Sequence, residues 1–259
     1  MIPFILYNAP QSTCSQRVRF VLNAKALLFE QHKLDLFAGD QLRPEYLKIN
    51  PNGVVPALLH NGRAVLDSAV IMEYLDEVAG DVCRFTPKDP VERARMRTMM
   101  RYIDEIPTPA VRVPSYNLAF LPHFQTMTED AFIDLANSKP LRKEFLLSMG
   151  RTGFPQKEMD QALDRLNRAV ARMDLWIAES GGPWLMGEML TLADIAVMPV
   201  IVRMDDINLE GAWSGKPAIA NWLALIKAHP AYKTTFYPGS LLTEKYPHLA
   251  VLREKKVTA

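Results

Sequence analysis

The chain has 259 residues, 49% of them apolar, enough for one large domain or two ordinary ones with a real core. Its formal net charge of +1 gives no general electrostatic pull toward nucleic acid or anionic lipid. A mean hydropathy near zero, with no apolar run long enough to span a bilayer, argues against a membrane protein. The opening MIPFILYNAP lacks the positive and long apolar segments of a secretion signal, and the two cysteines, Cys14 and Cys83, lie far apart without metal-ligand spacing. A reducing, cytoplasmic setting without a metal site is therefore expected. The basic tail at 253–259 reads as a frayed terminus.

In chain order, FILYNAP (4–10) is a short apolar run closed by turn residues, so a buried strand. SQRVRFVLNAKAL (15–27) carries Val18, Val21 and Leu22 at helical spacing. FEQHKLDL (29–36) reads as a second strand and QLRPEYLKIN (41–50) as short helix or irregular chain. VVPALLH (54–60) and AVLD (64–67) read as strands joined by a tight turn at Asn61-Gly62, a dipeptide suited to positive φ. SAVIMEYLDEVA (68–79) follows as an amphipathic helix stopped by Gly80. The order β-α-β-α-β-β-α predicts an α/β domain over residues 1–80. A linker at 81–90 and an all-helical domain at 91–259 complete the expected organisation.

Beyond the linker, VERARMRTMMRYIDEI (91–106) predicts a long helix. Pro107, Pro109, Pro114 and Pro122 then predict kinks or loops. Short helices are expected near 128–138 and 141–149, and a long amphipathic one over 155–180 with Gly181-Gly182 as its stop. TLADIAVMPVIVRMDDI (191–207) is apolar all round, a buried helix opened by Thr191 and Asp194 as a capping pair; Asp194 should be satisfied by backbone N–H groups. A last helix spans 217–230.

Three stretches bear on chemistry. Ser12, Thr13, Cys14 and Ser15 stand before the first helix. A helix N-terminus favours an anion, and a hydroxyl there can hold a thiolate by a hydrogen bond; the alternative is a plain cap by Ser12 or Ser15, with Cys14 buried as a small apolar residue. Val55-Pro56 opens the third strand. A cis bond there would turn the Val55 backbone toward a peptide-like ligand, although the dipeptide by itself favours trans. Asp67 and Ser68, where the last strand meets a helix, by themselves suit an N-cap first; the alternative is that they bind the ammonium and carboxylate of an amino-acid head group.

Together, the layout, the hydroxyls and cysteine after the first strand, Val-Pro at the third, Asp-Ser after the fourth and the helical second half resemble the glutathione transferases over essentially the whole chain. The resemblance implies a thioredoxin-like N-terminal domain, a helical C-terminal domain, glutathione as co-substrate and a cis Val55-Pro56 bond. STCSQRVRF (12–20) is similar to the zeta-class signature. DPVERARMR (89–97), RTGFPQ (151–156) and the long segment at 107–155 are similar to the bacterial lignin β-etherases and fungal-type relatives. On this basis Ser12 activates the glutathione thiol, Ser15 caps the helix and assists, and Cys14 lies close by. Asp67 and Ser68 hold the γ-glutamyl end, Val55 and Pro56 the cysteinyl centre. Gln41 substitutes for the Gln that the family often carries where this chain has Val54. Pro10, Gln11, Tyr116 and Asn117 face the acceptor. The expected activity is thiolate attack on a β-aryl ether of a lignin-derived aromatic. Alternatives are a zeta-type cis-trans isomerase, a non-catalytic binding protein and a Cys14-driven thiol transferase. Arg17 stands where a Cys-x-x-Cys pair would need its second cysteine, which disfavours disulfide exchange. The resemblance also implies a dimer, homomeric or with a paralogue, through the helix containing RMRTMMRYIDE (95–105).

Overall fold

The computed structural model describes residues 4–81 and 83–251; the tail at 253–259 and the outer limits of both expected domains lie outside the described residues. Four strands form one sheet in the order β2-β1-β3-β4: β1 (Phe4–Asn8), β2 (Phe29–Lys33), β3 (Ala57–His60) and β4 (Arg63–Leu66). β1 pairs parallel with β2, Phe4 opposite Phe29, and antiparallel with β3, Phe4 opposite His60. β1 alternates as its strand period demands, burying Phe4, Leu6 and Asn8 on one face. β3 begins at Ala57, not Val54, because Pro56 has no N–H for the ladder. Asn61 and Gly62 both take positive φ (51° and 76°), as the two-residue turn requires.

Helix α1 (Thr13–Ala24) and helix α3 (Ser68–Val78) pack together beside the sheet, while the short α2 (Pro44–Leu47) lies in the connection from β2 to β3. α1 carries two fully buried arginines, Arg17 and Arg19, an unusual load explained by its other neighbours. It packs on α11 (Leu192–Asp206) and on α13 (Pro230–Thr235), so it is the hinge plate between sheet and helical half. Arg17 reaches four elements. Its Nε donates to Ala196 O (2.7 Å), Nη2 to Thr108 Oγ1 (2.7 Å), and Nη1 to Asp104 Oδ1 (2.5 Å) and Ser68 Oγ (3.4 Å). Arg19 holds the chain after β1 through Asn8 Oδ1, Ala9 O and Pro10 O, and its burial pushes its guanidinium down to about 10.

The second half is helical: α4 (Pro90–Glu105), α5 (Pro107–Ala110), α6 (Arg112–Ser115), a π-helical turn at Tyr116–Phe120, α7 (Leu121–Gln125), α8 (Glu129–Asn137), α9 (Lys143–Met149), α10 (Gln156–Ser180), α11, α12 (Pro217–Ala228), α13 and α14 (Leu242–Lys245). The proline-rich stretch expected to kink or loop is instead a run of short helices. Pro107 and Pro122 occupy first-turn positions, where no helical N–H is lost. Among the described residues no helix is long and apolar enough to cross a membrane.

Asp194 closes the capping box of α11. Its Oδ2 accepts from Thr191 N–H (2.9 Å) and Oγ1, and its Oδ1 from Leu185 N–H and Trp222 Nε1, each at 2.9 Å. Burial pushes this carboxyl up and the four donors oppose the push. The stop after α10 is equally tight. A Cβ on Gly182 would lie 2.0 Å from the Gly187 carbonyl carbon, so Gly182→Ala should destabilise by roughly 1–3 kcal/mol through overpacking. A thermal melt followed by circular dichroism should fall by several degrees; an unchanged midpoint would show that the turn yields freely.

Candidate active site

β1 ends at Asn8, and the chain crosses Ala9 to Gln11 before Ser12 caps α1. Ser12 is extended (φ −71°, ψ 117°), and its Oγ accepts from Ser15 N–H at 3.2 Å. The cap expected at Ser15 therefore belongs to Ser12. The Ser15 hydroxyl is fully buried and accepts from Ala9 N–H at 3.3 Å, turned away from the cavity beside the loop, so it has no route to a ligand there. Cap position follows from where helical dihedrals begin, and the loop enters the helix at Thr13. The Ser12 O–H donates to no group among the described residues. Cys14 is a free, half-buried thiol.

This loop borders a cavity of about 550 Å³, a size suited to a small-molecule site. Of the residues singled out in the sequence, Pro10, Gln11, Ser12, Cys14, Gln41, Val55 and Tyr116 line it. The Val55-Pro56 bond is cis, as the resemblance implied and the dipeptide alone did not; Pro56 itself is buried behind the wall. Tyr46 Oη and Asn50 Nδ2 fix the preceding peptide by donating to Val54 O (2.6 and 2.7 Å). Gln41 is buried, donates to Leu36 O at 3.3 Å and has no partner for its Oε1.

Asp67 and Ser68 lie outside this cavity's wall. Asp67 leaves the strand with φ 70° and caps α3, its Oδ1 accepting from Ala69 and Val70 N–H groups. Ser68 is buried with Arg17 against its hydroxyl. Asn117, expected to face the acceptor, does not line the cavity. Its amide is spent on Phe154, accepting from the N–H at 2.8 Å and donating to the carbonyl at 3.0 Å, as consecutive helical side chains point about 100° apart and only Tyr116 faces the cavity.

Several wall residues went unmarked in the sequence. Phe37, Phe120, Phe124 and Tyr246 add an aromatic surface around Tyr116, with Tyr116–Phe120 at 4.8 Å and Phe120–Tyr246 at 5.6 Å. Burial holds the Tyr116 phenol above its usual range and pushes Tyr246 up to about 12, so both are protonated donors at neutral pH. Arg112, Arg142, Arg203, Lys139 and Lys245 line the same cavity. Arg203 carried a legible signal: a charge in an otherwise apolar helix. It is buried, pushed down to about 10 by desolvation, and joins Gln11 O (2.5 Å) to Ser115 Oγ (3.2 Å). The C-terminal segment ties down the same loop, with Gln11 Nε2 donating to Gly239 O and Gln16 Nε2 to Ser240 O.

A free hydroxyl at a helix N-terminus, a cis-proline strand and an aromatic wall contributed by the helical half thus meet around one cavity. Residues 11–78 match the family described as glutathione S-transferase, N-terminal domain, and residues 156–225 its C-terminal domain. The protein LigF of Sphingobium sp. strain SYK-6 is 30% identical over 89% of this chain and 92% of its own length. The chain belongs to the glutathione transferase family. The crystal structure of β-etherase LigF from the same strain superposes with a TM-score of 0.81, at 29% identity over 90% of this transferase and 98% of that chain. A probable maleylacetoacetate isomerase of Caenorhabditis elegans is 26% identical over 87% of this transferase and 92% of its own length. Both lines of resemblance seen in the sequence thus have full-length counterparts.

Proposed function

We propose that this transferase binds glutathione against its N-terminal half and uses the thiolate to cleave β-aryl ethers of lignin-derived aromatics. The observation that carries the reading is Ser12: its oxygen is held by the Ser15 N–H, which leaves the hydroxyl proton free to donate toward a sulfur in the cavity. A thiol loses its proton at a cost of about 1.4 kcal/mol per unit of pKa, and one charge-assisted hydrogen bond of roughly 1.5–3 kcal/mol is the right size to supply a unit or two. Asp67 and Ser68 receive the γ-glutamyl end, Val55 the cysteinyl centre, and Gln41 lies within reach of the glycyl end. The thiolate forms a carbon–sulfur bond at the β-carbon as the carbon–oxygen bond breaks. The electron pair leaves on the phenolate. Tyr116 gives that oxygen its proton, and Arg142 and Arg203 favour the tyrosinate left behind. Cys14 is a neighbour, not the nucleophile. The same reading includes a cytoplasmic dimer docked over α3 and α4, where Val70, Val78 and Val91 stand exposed.

Incubation with glutathione and a fluorogenic β-aryl ether tests the reading. Phenol release and a glutathione thioether are expected, with none when glutathione is omitted. Turnover of maleylacetoacetate without phenol release would replace this activity by isomerisation. Glutathione binding with neither reaction would make the chain a binding protein. Cys14→Ala should keep activity within about threefold; a collapse there would instead assign the chemistry to that thiol.

A further inference from the structure

The cavity's charge is lopsided. Among the described residues five cations line it, Arg112, Lys139, Arg142, Arg203 and Lys245, against one carboxylate, Asp35. Asp35 Oδ1 already accepts from the N–H groups of Phe37 and Ala38. Arg203 is consumed by Gln11 and Ser115. Arg142 reaches only the carbonyl of Leu141, and Lys139 only that of Leu36 at 3.5 Å. Arg112 is half-buried in the wall and has no hydrogen bond or ion pair among the described residues. A guanidinium offers five donors in a planar fork that matches a carboxylate. Desolvation and the nearby Arg142 both press on its charge, and it lies close enough to Cys14 to sense it across the cavity. A cation held this way is costly until an anion arrives.

Glutathione does not account for the surplus. Its γ-glutamyl end belongs at Asp67 and Ser68, outside this wall. Its thiolate and glycyl carboxylate together leave at least two of these cations without a counter-charge. Arg112 also shares its helical segment with Tyr116 and Phe120, both in the aromatic wall, so an anion bound there would project from a ring stacked against them. We infer that the acceptor of this transferase is an aromatic bearing a carboxylate, which Arg112 grips as the ring enters the cavity. The inference rests on the glutathione-transferase reading and narrows its acceptor.

Two β-aryl ethers identical except for a carboxylate or a carboxamide at one position, remote from the reacting carbon, provide the test. The wild type should favour the carboxylate in kcat/KM by at least about tenfold, and Arg112→Met should bring the ratio within about twofold of one, chiefly through KM for the carboxylate. Arg112→Lys should restore part of the preference, since it keeps the charge and loses the fork. Equal turnover of the two ethers by the wild type would overturn the inference. So would an Arg112→Met variant whose KM for glutathione rises as much as that for the acceptor, because the anion would then be glutathione's own. If neither ether is cleaved, the β-ether reading falls. Titration calorimetry of the aryl carboxylate and its carboxamide into glutathione-saturated wild-type protein then decides the inference separately: tenfold tighter carboxylate binding upholds it, equal binding ends it.

Discussion

Ser12→Ala should lower kcat/KM by roughly 10²–10³, the usual loss when one donor to a developing or resident anion is removed. The geometry makes the effect specific. The Ser12 oxygen serves the helix and, on the proposed reading, its proton serves the sulfur, so one substitution would remove both. The cap contributes about 1 kcal/mol to stability and the donor the rest to catalysis. The two are separable: Ser12→Asp should keep the melting temperature near wild type while kcat stays depressed, because a carboxylate still accepts from Ser15 N–H and offers the sulfur no proton. A direct readout is the thiol pKa of bound glutathione, followed by thiolate absorbance; it should rise in Ser12→Ala by one to two units. An unmoved thiol pKa would remove Ser12 from the chemistry.

Arg17→Met should be the most destabilising of the substitutions considered, by about 3–5 kcal/mol. The variant strands Asp104 and leaves Thr108 and the Ala196 carbonyl without their shared donor, at the seam between the sheet and the helical half. For a chain of this size the melting midpoint should drop by about 10 °C or more. Arg17 also buttresses Ser68. The surviving enzyme should therefore show a raised KM for glutathione with little change in kcat, the opposite split from Ser12→Ala. A midpoint within 2 °C of wild type would show that solvent replaces these bonds at no cost.

The strand and helix order was legible because its signals are local: alternation in β1, Asn61-Gly62, the apolar periodicities of α3 and α10, and the unbroken apolar run of α11. The prolines after residue 106 misled because the same residue that breaks a helix interior also starts a helix, and only the surrounding packing decides which. Choosing between Ser12 and Ser15 for the cap was beyond pattern reasoning, since both are good caps within one turn. The cis Val55-Pro56 bond came from the family resemblance alone. The resemblance put Tyr116 and Asn117 side by side at the acceptor, yet only Tyr116 lines the cavity, because consecutive side chains of a helix point about 100° apart. Arg112 was hidden among prolines, and Lys245 and Tyr246 reach the site from a stretch with no periodicity to flag it. What pattern cannot supply is contact between residues two hundred positions apart.

The bonds from Gln11 and Gln16 to Gly239 and Ser240 join residues 228 and 224 positions apart. During translation the ribosome delivers these two partners more than two hundred residues after the loop they hold. A nascent chain therefore carries every strand of the sheet long before the loop that presents Ser12 is pinned. A chain cut off before residue 239 has the whole sheet and lacks both of the contacts that tie this loop to the C-terminal segment.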